Sequence, residues 1–456
     1  MQANNKFPAV FLLIAIAFSC SFLSCKKYLD KKSDSSLTVP KTLDELQGLF
    51  NDAQKMNFNL TPSMGESSAD DYFLTQTSYD YLPTQPKEIY TWTLKVYNYA
   101  NDWSANYLPV YNANFTLETL DKIPRTASNQ TQWNQLKGYA LFTRAFSFLN
   151  LAWEYAKAYD KSSSENDLGI VLRTTSDFNK PSKRASVEDT YRQIISDAEE
   201  SAQLLPDVSA NVLLPSRAAS YGLLARTFLS MGQFDSALNY STLCLNIKND
   251  LLDYNDVSLT VNIPFTNFDN PEVIYYTEMN TYNTNHYSFT GFIDTTLYSM
   301  YKDDDLRKIG YFRFYNGYYR FKGAYTANSI YLFTGIATDE ILLIRAECHA
   351  RLGDIENAMK DLNTLMKRRW SNTVDYPEIT ATTSVEAINK ILLERRKELL
   401  MRGIRWSDIK RLNKQGQNII PKRNINGEIL SLSANDKRYA LPLPADIITS
   451  TGMVQN

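Results

Sequence analysis

Apolar residues recur at helical spacing through most of this chain, with three exceptions that organise the reading. The first is a continuous apolar run from about Val10 to Phe18. It follows Lys6 and leads into Ser21-Phe22-Leu23-Ser24-Cys25. It is too short to span a bilayer and has the order of a secretory signal peptide. A cysteine after a small residue at the end of such a run predicts cleavage before Cys25 and lipid on its sulfur. Residues 1–24 therefore read as signal peptide. Residues 25–40, polar and rich in Lys, Ser and Asp, read as a lipidated tether, and 41–456 as a single domain.

Within that domain, Thr42-Leu43-Asp44-Glu45 has the form of a capping box opening a helix, with Leu43, Leu46, Leu49 and Phe50 at helical spacing. Residues 61–100, the second exception, show no clear period. They are rich in Ser, Asp, Thr, Pro and Tyr and predict a long ordered loop of the kind that carries function. Helical spacing returns with Trp103, Tyr107, Val110, Tyr111 and Phe115, and a long helix is expected over Trp133–Tyr159. Ser186-Val187-Glu188-Asp189 caps another to about Leu205. Thr383-Ser384-Val385-Glu386 caps a last strong helix through about Met401.

Two segments repeat. Ala225, Phe228, Gly232, Phe234, Ala237 and Cys244 are matched, 121 positions on in each case, by Ala346, His349, Gly353, Ile355, Ala358 and Leu365. This is the spacing of tetratricopeptide helix pairs, in which small residues let two antiparallel helices approach and glycine permits the tight turn. One pair cannot bury its own face, so several must stack. The helix-pair scaffold is placed at about 103–250 and 338–412. Between the repeats lies the third exception, about 250–337, rich in Tyr, Asn and Gly. It has strand-like runs at Val273-Ile274-Tyr275-Tyr276 and Tyr318-Tyr319-Arg320-Phe321. With 61–100 it forms the pair of loop-rich regions expected to bind.

Composition narrows the function. Hydrophobic residues make up 44%, enough for a sizeable core, and the net charge of -2 gives no basic footprint for nucleic acid. Cys20 and Cys25 belong to the export segment. Cys244 and Cys348 fall in helical patterns and read as small core fillers, with a bridge between them the lesser alternative. Tyr 30, Phe 22 and Trp 6 bring aromatics to 13%, the one compositional anomaly.

No phosphate loop or dinucleotide fingerprint is present. The two histidines, His286 and His349, do not make a zinc site, and His349 reads as a packed residue of the repeat. No metal or other cofactor is expected. The carboxylate runs Asp70-Asp71 and Asp303-Asp304-Asp305 are the only glycosidase candidates, and adjacent carboxylates point in different directions. The expectation is a protein that is not an enzyme.

What remains is aromatic rings among polar side chains. The first region holds Tyr72, Phe73, Tyr79, Tyr81, Tyr90, Trp92, Tyr97 and Tyr99. The insertion holds Tyr282, Tyr287, Phe289, Tyr298, Tyr301, Tyr311, Tyr315, Tyr318 and Tyr319. Flat rings suit the apolar face of a sugar, and amides and charges suit its hydroxyls; a peptide would be served equally. The residues singled out as ligand contacts are Asp70, Asp71, Tyr72, Tyr90, Trp92, Asn98, Tyr287, Arg307, Tyr315 and Tyr319.

Several segments resemble one family. They are Cys25-Lys26-Lys27-Tyr28-Leu29-Asp30, Trp103 through Ala113-Asn114, and Gly138-Tyr139-Ala140-Leu141-Phe142-Thr143-Arg144-Ala145. Arg184 through Tyr191, Ile194, Asp197 and Leu205-Pro206, then Asn270-Pro271-Glu272-Val273-Ile274-Tyr275 and Ile344-Arg345-Ala346-Glu347, continue them. The most specific is Glu394-Arg395-Arg396-Lys397-Glu398-Leu399 with Gly403, Arg405, Asp408 and Arg411; Leu441-Pro442-Leu443-Pro444 and Gln455-Asn456 follow. In order and spacing these resemble the SusD/RagB family of outer-membrane lipoproteins. The resemblance implies a mainly all-α fold, with tetratricopeptide-like helix pairs supporting an irregular face with a few short strands. It implies a lipid-anchored protein on the outer membrane facing the exterior, acting as the lid of a SusC-like TonB-dependent transporter. Such a lid captures oligosaccharides without catalysis. Two alternatives stay open: the same architecture binding peptides, and an adaptor of the transporter without a small ligand of its own.

Overall fold

The computed structural model describes residues 39–456 apart from Asn267 and Ser329, so the expectations for the signal peptide and Cys25 lie outside the described residues. Ten helices of nine residues or more occur among them. They are α1 (Leu43–Asn51), α2 (Asp102–Leu120), α3 (Gln130–Tyr155), α4 (Val187–Leu204), α5 (Arg217–Ser230), α6 (Phe234–Ile247), α7 (Thr338–Arg351), α8 (Ile355–Lys367), α9 (Ser384–Glu398) and α10 (Arg405–Lys414).

Their starts are where the capping residues put them. The Thr42 hydroxyl accepts from the Glu45 N–H at 3.3 Å while the Glu45 carboxylate accepts from the Thr42 N–H at 3.0 Å, the reciprocal box expected at α1. Ser186 and Thr383 cap α4 and α9 in the same way, at 2.9 and 3.2 Å. Helix α9 stops at Glu398, short of the expected end, because the chain turns through Met401 and Gly403 at φ +59° and +72° to start α10.

From α2 to α8 each helix packs on the next in sequence, and α9 returns onto α7. The two repeat segments are α5–α6 and α7–α8. Gly232 and Gly353 sit in their turns at φ +71° and +90°, a conformation other residues adopt at a cost. Ala225, Ala237, Cys244, Ala346, Ala358 and Leu365 are fully buried between the helices. Cys244 and Cys348 are buried free thiols, and burial pushes both upward in pKa. His349 departs from expectation. It is half-buried rather than packed, with Nδ1 3.1 Å from the Asp354 carboxylate, because this end of the repeat opens at the turn into α8.

Among the described residues the strands form five separate antiparallel pairs. Val273–Tyr275 and Tyr318–Phe321 arise in the strand-like runs, the first pairing with Ile336–Ala337 and the second with Phe312–Tyr315. Tyr72–Phe73 pairs with Phe292–Ile293, which joins the two loop-rich regions directly. Residues 42–456 make one compact unit. Among the described residues no helix is long and apolar enough to cross a membrane.

Residues 61–100 are not the surface loop that their lack of period predicts. They hold short helices at Met64–Ser68, Gln76–Asp80 and Thr84–Tyr90, and residues 61–69 are buried. The backbone there is satisfied by buried carboxylates instead of by a regular ladder. Asp102 accepts from the Ser63 and Met64 N–H groups at 2.8 and 2.7 Å. Glu154 accepts from the Gly65 N–H at 2.8 Å, and Glu66 accepts from the Gly403 N–H at 3.0 Å. A pattern search cannot see a fold made this way.

Candidate ligand-binding face

The charged stretch from Glu394 to Arg411, the most specific in the sequence, points inward and ties the loop-rich regions to the scaffold. Arg307, fully buried, meets Asp305 at 2.7 Å, Glu394 at 2.5 Å and Glu398 at 2.9 Å. Arg369 bridges Glu398 and Glu272 at 2.8 and 2.7 Å, with its guanidinium 4.0 Å from the Tyr254 ring centre. Arg405 holds Asp70 at 2.6 Å and Arg396 holds Asp71 at 2.7 Å. Arg411 joins Glu347 of α7 to Asp408 at 2.7 Å each. Burial alone would push the Asp70 carboxyl up, but Arg405 and Arg396 hold it well below the carboxylate range. Burial disfavours charge on Arg307, and Asp305 and Glu394 more than restore it.

Six of the ten residues singled out as ligand contacts lie wholly or partly beneath the surface. Arg307 is spent on three carboxylates and sits in the interior, and Asp71 is likewise buried and paired. Asp70 is partly buried behind Arg405. Tyr72, Tyr90 and Tyr287 are buried too, their hydroxyls engaged: Tyr72 donates to the Ser67 carbonyl at 2.5 Å, Tyr90 accepts from the Leu74 N–H at 2.9 Å, and Tyr287 donates to the Asn280 carbonyl at 3.1 Å. These six hold the face together from below, their polar atoms turned to partners within the protein. The physical reason is charge and hydroxyl satisfaction: each polar atom has found a partner inside the protein, so burial carries little penalty.

Trp92 lies between the two groups. Its indole N–H donates to the Ser68 carbonyl at 2.9 Å, and its backbone holds φ +58°, uncommon for a bulky residue. It borders a cleft of about 1020 Å³ whose walls include Thr84, Gln85, Glu88, Lys95, Lys437 and Asn456.

The remaining picks are open to solvent. Asn98 is exposed beside Tyr99, which is 75% exposed. Across from them lies Tyr282 of the insertion, 41% exposed; burial raises its hydroxyl pKa first, then the nearby Tyr99 and Asp102. Beneath, Asn283 donates to Ser63 at 3.1 Å and Asp102 at 3.3 Å, so the floor is a rigid polar network. Tyr315 is exposed on the hairpin Phe312–Phe321, and Tyr319 is half-buried on the other side of that hairpin, stacked 3.6 Å from Tyr298. Tyr318 adds a further open ring, 5.1 Å from Phe73 and 5.4 Å from Phe292. The sequence reading covers Tyr99, Tyr282 and Tyr318 as rings without choosing them, and misses Arg313 and Arg320 altogether. The available signal is Asn316-Gly317, a two-residue hairpin loop with φ +49° and +86°, flanked by alternating aromatic and basic residues.

Ser67 and His286 form a buried pair at 2.8 Å, but burial pushes the imidazole down to about 3 and neither side chain reaches solvent. Among the described residues no group of three His, Cys, Asp or Glu is placed to hold a metal ion.

A family profile described as "Starch-binding associating with outer membrane" matches residues 27–229, and that of the SusD family matches 266–456. This chain belongs to the SusD/RagB family. Solved SusD-like structures share its fold. A candidate sugar-binding protein of Bacteroides vulgatus is 22% identical, with TM-score 0.76, over 92% of this chain and 99% of that one. A SusD superfamily protein of Bacteroides thetaiotaomicron is 20% identical, with TM-score 0.73, over 91% and 99%. A SusD-like carbohydrate binding protein of Bacteroides vulgatus is 20% identical, with TM-score 0.67, over 91% and 97%. No curated protein matches. The SusD assignment accounts for the mainly helical fold. In this SusD-like chain the most specific motif is a buried clamp, and the two loop-rich regions meet as one face.

Proposed function

We propose that this chain is a surface lipoprotein, anchored through Cys25 to the outer membrane, that captures oligosaccharides and delivers them to a SusC-like TonB-dependent transporter. The mechanism is binding without catalysis. The observation that carries the reading is the pairing of Tyr72–Phe73 with Phe292–Ile293, which joins two segments distant in sequence that carry open rings: Tyr318 against Phe73 and Phe292 with Tyr315 beside it, and Tyr282 near Tyr99 above the Asn283–Asp102 network. Open rings offer stacking area at low entropic cost, and the neighbouring amides orient hydroxyls. Outer-membrane placement follows the family description. Of the candidate glycosidase carboxylates, Asp70, Asp71 and Asp305 are each paired with arginine, which supports binding rather than turnover.

Calorimetry against a panel of oligosaccharides and mixed peptides tests the ligand class. Saccharide binding that falls on Tyr282→Ala supports the reading. Peptide binding with no saccharide binding overturns it. For the anchor, Cys25→Ala is expected to leave a folded, ligand-competent protein lost from the membrane fraction; full retention there refutes lipidation at Cys25.

A further inference from the structure

The hairpin Phe312–Phe321 has two unlike faces. Register pairs Phe312 with Phe321 and Phe314 with Tyr319 on one, and Arg313 with Arg320 and Tyr315 with Tyr318 on the other. The second face is continuous with Phe73 and Phe292: the Arg320 guanidinium lies 4.0 Å from the Tyr315 ring centre and 4.7 Å from that of Phe292.

Arg313 and Arg320 stand directly opposite each other, an arrangement of like charges that costs a strand pair stability. Neither forms an ion pair among the described residues, and the Nε atom of each is shielded from solvent with no hydrogen-bond partner. Other buried arginines of the protein have partners: Arg423, also among aromatic rings, donates to the backbone carbonyls of Tyr90, Tyr72 and Ala69. Arg226, Arg307, Arg345 and Arg369 each take a carboxylate. On this hairpin the Arg320 guanidinium lies against the Tyr315 and Phe292 rings instead, and Arg313 faces it across the strand pair, both forks left without an anion. Burial lowers the Arg320 pKa and Arg313 lowers it further, and the same charge reaches Lys322.

From this juxtaposition we propose that the Arg313, Tyr315, Tyr318 and Arg320 face recognises an anionic sugar, the arginines pairing with a uronate carboxylate or sulfate while the tyrosine rings stack on the pyranose. This deepens the saccharide reading above and rests on it. A guanidinium matches a carboxylate or sulfate with two parallel donors, which a neutral hydroxyl cannot reproduce. The anion also relieves the repulsion between the two arginines, so part of the gain comes from the free protein's own strain.

The test is calorimetry with the lipid-free full domain at two salt concentrations. The probes are oligogalacturonides and chondroitin sulfate tetrasaccharides as acids, and malto- and xylo-oligosaccharides as neutral controls. Acidic probes are expected to bind at least tenfold more tightly than neutral ones, with affinity falling as salt rises. Preference for one acidic probe assigns carboxylate or sulfate. Arg313→Gln, at a residue with no internal partner to lose and a like charge opposite it, is expected to weaken acidic binding about tenfold with a melting temperature no lower than that of the parent protein, and Arg313→Lys to restore part of the binding. Neutral saccharides bound as tightly as acidic ones, or acidic binding indifferent to Arg313→Gln, would overturn the inference and leave the saccharide reading standing. No binding of any saccharide would overturn both.

Discussion

Between α5 and α8 the helices meet through Ala225, Ala237, Cys244, Ala346, Ala358 and Leu365, all fully buried and apolar or weakly polar. The loop-rich regions meet the same scaffold through Arg307, Arg369, Arg396 and Arg405, each locked to a carboxylate. The scaffold repeats a packing solution, so small residues at fixed spacing suffice. The face has no regular ladder to satisfy its backbone, and directional charge pairs fix its geometry instead. A buried pair adds little net stability over an apolar substitute, but breaking one leaves an uncompensated charge. The clamp therefore specifies where the face sits more than how tightly the protein folds.

Breaking the clamp is expected to have the largest effect. Glu398→Ala removes the carboxylate shared by Arg307 and Arg369 and should cost about 3–5 kcal/mol in urea unfolding. A loss near zero would mean that the clamp is not what holds the face.

Next comes the buried floor. Burial, then Asp71, pushes the Glu66 carboxyl up to about 8. It is therefore neutral in the fold and ionised in the unfolded chain at mid pH. The native state binds the extra proton, so stability falls as pH rises from about 4.5 to 8, by up to about 1.4 kcal/mol per pH unit. Glu66→Gln, which keeps an acceptor for the Gly403 N–H, should flatten that slope and raise the melting temperature at pH 8 but not at pH 4. Parallel pH profiles for the two proteins would contradict the assignment.

The scaffold side is sharpened by Gly353→Ala. A side chain at φ +90° costs about 1–2 kcal/mol, with no clash to add to it because a Cβ there meets open space. An unchanged unfolding midpoint would show that the repeat turn relaxes freely.

The smallest stability effect belongs to the open rings. Tyr282→Ala and Tyr315→Ala should each shift unfolding by less than about 0.5 kcal/mol while weakening ligand binding. Large destabilisation with intact binding would make these rings structural and erase the contrast between face and floor.

Residue by residue, legibility follows the same divide. The capping box at Thr42, the N-caps at Ser186 and Thr383, the repeat glycines at 232 and 353 and the strand run at 318–321 were all readable, because each is a local rule of spacing or backbone geometry. The burial of Asp70, Asp71 and Arg307 was not, because it depends on Arg396, Arg405, Glu394 and Glu398, between 87 and 335 positions away in the contacts that matter. A tyrosine or aspartate in an aperiodic stretch looks the same whether it faces water or a distant arginine.

The sequence by itself determined the family, the helix pairs and the two aromatic-rich regions without a period, since hydrophobic period, capping chemistry and motif order are properties of neighbours along the chain. Only the tertiary structure decided which aromatic and charged residues stand on the face and which lie beneath it. Exposure is settled by partners brought together across the fold, and the charges of α9 and α10 claim Asp70, Asp71 and Arg307 while leaving Tyr99, Tyr282 and Tyr315 open and the half-buried arginines of the hairpin without a carboxylate.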